Sequence, residues 1–166
     1  MTDTAAPTTT PTTVGAVKEL GHIVLYVRDL ARSVAFYGDV LGWPLVMGGA
    51  LGFPAAAFSG GGTHHELLLI EVGPDAEPIP PGRRVGMYHF GVKVGDSDDE
   101  LRAARDRLAA RPDLVTIVGA TDHHVTHSLY VEDPDGNEVE LYIDVPGVNW
   151  RDDPNALAAP ARALKL

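Results

Sequence analysis

The first regular pattern along the chain is an alternating segment, Gly21-His22-Ile23-Val24-Leu25-Tyr26-Val27-Arg28-Asp29. It returns 67 residues later (89 − 22) as Tyr88-His89-Phe90-Gly91-Val92-Lys93-Val94-Gly95-Asp96. Period two predicts a strand in each copy, and each opens on a histidine. Helical spacing follows both times. Asp29 is placed to cap a stretch with Leu30, Val34, Tyr37 and Leu41 on one face, ended by Gly42. In the second copy Ser97 and Glu100 form a capping box, Leu101, Ala104 and Leu108 make the apolar stripe, and Pro112 ends it. Three strand patterns then close each copy, at Leu45–Met47, Phe53–Phe58 and His65–Val72, and at Leu114–Val118, Val125–Val131 and Glu138–Ile143.

Each half therefore reads βαβββ, an α+β class with two modules pairing into a cleft or half-barrel. The modules run over 19–73 and 86–146, within one domain over 19–150, joined by the Pro-rich connector 74–85. Residues 1–18 are a Thr- and Pro-rich tail expected to be disordered, and 151–166 a C-terminal tail or short helix. A four-stranded sheet with one helix on one face leaves its other face uncovered, so two halves have a physical reason to associate.

Composition narrows the chemistry. At 166 residues the chain is long enough for one well-buried domain, and no apolar stretch approaches the ~20 residues that a membrane helix needs. Cysteine is absent, so any metal must be held by His, Asp or Glu. A formal charge of −10 repels phosphate backbones and anionic membranes. A small molecule or another protein, a second copy included, is the expected partner. Lacking a secretion signal and cysteines, the protein is expected in the cytoplasm. Gly60-Gly61-Gly62-Thr63 lacks the lysine of a phosphate loop, and the serines at 33, 59, 97 and 128 sit in no Gly-x-Ser-x-Gly elbow. What stands out is His22 and His89 at equivalent places, with Glu140 in the last strand behind the Asp133-Pro134-Asp135-Gly136-Asn137 turn. Two imidazoles and a carboxylate on one face would leave coordination positions open.

His22 with Asp29, the Phe36-Tyr37 and Leu41-Gly42 pairs, His89, and Asp133 to Asn137 leading to Glu140 resemble the vicinal oxygen chelate superfamily, which includes glyoxalase I, fosfomycin- and bleomycin-resistance proteins and extradiol dioxygenases. The resemblance implies a divalent metal on His22, His89 and Glu140. Thr63-His64-His65-Glu66 and Asp122-His123-His124-Val125-Thr126-His127-Ser128-Leu129-Tyr130 look most like extradiol, catechol-cleaving members. There the resemblance implies Fe(II), with Mn(II), Ni(II) or Zn(II) also accepting such donors. It makes His65 the acid–base group, with His64 as fallback, and gives supporting roles to His123 and Tyr130; Tyr130 stands ten residues before Glu140.

Two alternatives stay open. Aligning Glu66-Leu67 with Glu140-Leu141 makes Glu66 a fourth ligand, as in a glyoxalase-I-like lyase or isomerase. A cleft lined by Tyr26, Phe53, Tyr88, Phe90 and Trp150 would instead suit a resistance protein that binds a hydrophobic antibiotic without catalysis.

Overall fold

The computed structural model describes residues 14–50 and 52–166; residues 1–13 of the expected disordered tail lie outside them. From Ile23 the chain forms β1 (Ile23–Val27), then α1 (Leu30–Val34), which continues as a π-helical turn over Ala35–Val40, then β2 (Leu45–Ala50), β3 (Pro54–Phe58) and β4 (Leu67–Glu71). The second half repeats the order with β5 (His89–Gly95), α2 (Asp98–Ala109), β6 (Thr116–Asp122), β7 (Thr126–Glu132) and β8 (Glu138–Asp144). The connector between the halves holds turns but neither helix nor strand. The C-terminal segment is a 3-10 turn over Pro154–Ala158 followed by β9 (Arg162–Ala163), which pairs with β6. The sheets run β1-β4-β3-β2 and β5-β8-β7-β6-β9 and are not closed into a barrel.

The helix starts are as expected from the capping residues. Asp29, extended at φ −135°, accepts from the Arg32 N–H, while Ser97 Oγ and the Glu100 carboxylate cap α2 reciprocally. The first helix widens because Leu41 N–H reaches back to Phe36 C=O rather than stopping one residue nearer. Gly42, at φ +77°, then turns the chain out of it.

Alternation along each strand sends Leu25, Val27, Leu67 and Leu69 of the first half, and Leu129, Val131, Leu141 and Ile143 of the second, to the helix-bearing side. These residues join Phe36, Tyr37, Leu101 and Leu108 in one continuous core, so the halves meet through their helix-bearing faces. Polar contacts fix that meeting. The hydroxyl of fully buried Tyr37 donates to Asp133 Oδ2 at 2.7 Å, Arg28 reaches Asp135, and Arg107 reaches Val40 C=O. The opposite faces stay open: Val24 and Tyr26 on β1, Gly91 and Lys93 on β5 are exposed.

Asp133 is the joint. Its Oδ1 accepts the backbone N–H of Asp135 and of Asn137, and Oδ2 accepts the Asn137 amide and Tyr37. Burial raises its pKa, against the hydrogen bonds that favour its ionised form. Replacing Tyr37 by Phe removes one donor from a buried carboxylate and should cost about 1–3 kcal/mol, read from urea unfolding at neutral pH. A loss below ~0.5 kcal/mol would mean that the turn satisfies Asp133 by itself.

Candidate functional site

Strand pairing sets which side chains meet on the open face of the second sheet. Tyr130 stands opposite Glu140, and Gly91 opposite Glu140 on its other side. Ser128, fully buried two residues before Tyr130, therefore points to the same face and donates to Glu140 Oε1 at 2.6 Å. The Tyr130 hydroxyl lies 3.2 Å from that same oxygen and 2.8 Å from His123 Nε2. A phenol has one proton to donate, so Tyr130 donating to Glu140 calls for the His123 tautomer with its proton on Nε2. Burial, and then the Glu140 charge, push the Tyr130 phenol up to about 12, which keeps it protonated at neutral pH.

The other oxygen of Glu140 lies 3.2 Å from His89 Nε2. Two donors bound to one ion at ~2.1 Å and at right angles stand ~3 Å apart, so this pair fits a shared divalent ion. The Nδ1 of His89 is buried without a hydrogen-bond partner, 3.6 Å from Glu138. Tyr88 and Tyr130 pack edge-on against the His89 ring at 4.6 and 5.5 Å between centroids, which holds its orientation.

The remaining expected site residues gather on the first sheet. The His22 ring lies 4.6 Å from that of His65 and 5.9 Å from that of His64, and the two Nδ1 atoms of His64 and His65 are 2.6 Å apart. Such a pair shares one proton. Removal of the His65 ring from water, and then the fields of His64 and His22, lower its pKa, while its Nε2 is buried without a partner. His22, Glu66 and His89 line one groove of about 730 Å³ with Leu20, Trp43 and Met87. Among the described residues, however, no three His, Asp or Glu side chains converge closely enough to hold an ion.

Glu66 is engaged elsewhere. Its carboxylate accepts the N–H of Thr63 at 2.8 Å and of Gly60 at 2.6 Å, so both oxygens close the loop before β4. The ladder registers also do not align Glu66 with Glu140. Val24 pairs with Leu68 in the first half where its counterpart Gly91 (24 + 67) pairs with Glu140, so the Glu140 position is Leu68 there. Ser128 lies within the extradiol-like segment of the sequence, which assigns it no role; its even spacing from Tyr130 is the signal that puts it on the same face. Leu20, Trp43 and Met87 of the groove carry no such signal.

Comparison with known proteins agrees with this architecture. Residues 19–141 match the model of the Glyoxalase/Bleomycin resistance protein/Dioxygenase superfamily. The chain belongs to that superfamily. It is 34% identical over 134 residues to the catechol-2,3-dioxygenase of Bacillus subtilis (strain 168), covering 81% of this chain and 44% of that protein. The chain thus spans less than half the length of that relative. A glyoxalase/dioxygenase from Nostoc punctiforme has the same fold at a TM-score of 0.63 and 22% identity, over 80% of this chain and 99% of that one. A lactoylglutathione lyase from Agrobacterium tumefaciens aligns at a TM-score of 0.52 and 29% identity, over 79% of this chain and 95% of that one. Relatives in this superfamily thus include both dioxygenases and glyoxalase-type lyases. No helix among the described residues is long and apolar enough to cross a membrane.

The engagement of Glu66 has a pH signature. The Thr63 and Gly60 amides hold its carboxyl below the ordinary value of 4.5, so the stability these bonds contribute is present above that value and lost as pH falls through the folded-state pKa. Glu66→Gln should melt below the parent at pH 7, and the gap should narrow as the pH is taken under 4.5. A gap that stays constant with pH would contradict the capping role.

Proposed function

We propose that this chain is a ring-cleaving dioxygenase for a small catechol-type molecule, using Fe(II) held by His22, His89 and Glu140. The observation that supports three protein donors rather than four is the paired register: Leu68 occupies the place in the first half that Glu140 occupies in the second. A set of two imidazoles and one carboxylate leaves room for both substrate oxygens and for dioxygen. Bound there, Fe(II) would supply the redox chemistry and lower the pKa of a chelating hydroxyl.

The protein groups then divide the remaining work. Tyr130, protonated at neutral pH, would donate its one proton to a substrate oxygen in place of Glu140, while His123 donates to the phenol oxygen and fixes its position. His65, with a lowered pKa and an unpartnered Nε2, is the neutral imidazole suited to accept a substrate proton. Ser128 holds Glu140 in one orientation by bonding the oxygen that does not face His89. The second reading, a lyase or isomerase with Glu66 as fourth ligand, requires that carboxylate to abandon the amides of Gly60 and Thr63. Oxygen uptake by Fe(II)-loaded protein against a panel of catechols tests the choice. Uptake that vanishes in His89→Ala is expected, whereas metal binding without uptake would move the assignment to the lyase or to a binding protein.

In this reading the three donors come together within one chain, at the groove that His22 and His89 share. Mixing inactive His22→Ala with inactive His89→Ala protein should then return no uptake. Recovery of about a quarter of the parental uptake after confirmed subunit exchange would place the site between two copies.

A further inference from the structure

Beside Glu140 lies a second cavity of about 460 Å³, within the usual size range for small-ligand sites. Thr126, Glu140, Tyr142 and Asp144 of β7 and β8 form its floor, and Trp150, Arg151 and Leu157 of the C-terminal segment form its wall. Its charges are unevenly committed. Asp144 is paired with Lys93 at 2.8 Å, and Lys93 is further held by Asp96. Glu140 is bonded by Ser128 and Tyr130 and faces His89. Arg151 differs: its guanidinium carbon lies 4.2 Å from the centroid of the Trp150 ring, and it makes no ion pair among the described residues. The turn that presents it is fixed by the Asn149 side chain, which accepts the Arg151 N–H and donates to Asp152. A guanidinium stacked on an indole keeps its N–H edge free for two parallel hydrogen bonds to a carboxylate.

Resting on the catechol reading of the Glu140 site, we propose that the substrate is an aromatic diol that carries a carboxylate. Its diol edge faces Glu140, Tyr130 and His89, and its acidic substituent is bound by Arg151. In a chain of 13 basic and 23 acidic residues, a guanidinium that no carboxylate pairs among the described residues is the group of this cavity that can bind an anion. Trp150 orients Arg151 and supplies the apolar wall for the ring.

The test uses the full chain under nitrogen, titrated calorimetrically with 3,4-dihydroxybenzoate and with its neutral methyl ester, so that no turnover is required. The acid should bind about tenfold tighter than the ester. Arg151→Gln should bring the two affinities together while leaving that of the ester in place, and Arg151→Lys should restore part of the preference. Equal binding of acid and ester by the parent, a preference that survives Arg151→Gln, or binding of neither probe would overturn the inference. A protein that prefers the acid through Arg151 yet takes up no oxygen would keep this assignment and sink only the ring-cleavage reading.

Discussion

One buried carboxylate holds the two halves of this molecule in register. Asp133 lies in the turn between β7 and β8, yet one of its oxygens is bonded by a tyrosine from the first half. A carboxylate taken out of water must have its lone pairs filled, and here two backbone amides, one side-chain amide and one phenol fill them. The π-helical widening after α1 carries Tyr37 and ends with the Leu41 to Phe36 hydrogen bond. The same turn sets the entry of β8 and thereby the height of Glu138 and Glu140 along it. Anything that shifts Asp133 shifts both the interface between the halves and the carboxylate of the candidate site.

The site inherits its order from that frame. Glu140 is held at Oε1 by Ser128 and Tyr130, leaving Oε2 to face His89. A flexible glutamate is thereby reduced to one orientation before any ion or substrate arrives, which lowers the entropic cost of binding. On the first sheet the corresponding strand offers Leu68, and the nearby carboxylate of Glu66 is spent on its own loop. The two modules repeat in fold but not in chemistry. One contributes a cluster of imidazoles in which His64 and His65 are hydrogen-bonded to each other, and the other contributes a carboxylate set in a hydrogen-bonded network.

Acidic composition and local cation placement act on different scales. The net charge of −10 sets the long-range field and disfavours polyanionic partners. Within the cavity beside Glu140, Lys93 is taken up by Asp144 and Asp96, while Arg151 stacks on Trp150 with no ion pair among the described residues. Short-range geometry therefore leaves one local cation available in an anionic chain.

Much of the architecture was legible in the chain itself, because it rests on local rules. Asp29 and Ser97 announced the helices, the repeat of His22 and His89 announced two modules, and the resemblance linked Tyr130 to Glu140, which the ladder sets opposite each other. Strand ends were less legible: β4 begins at Leu67 rather than His65, since the residues before it are drawn into the loop that Glu66 closes. The partnership of His65 with His22 rather than with Tyr130, and of Ser128 with Glu140, depended on three-dimensional placement. So did the choice between Glu66 and Leu68 as the counterpart of Glu140, because sequence spacing does not count loop residues against ladder pairs. Periodicity and capping are properties of neighbours along the chain, and the sequence determines them alone. Which side chain faces which donor across two sheets is a property of register and packing, and only the tertiary structure decided it.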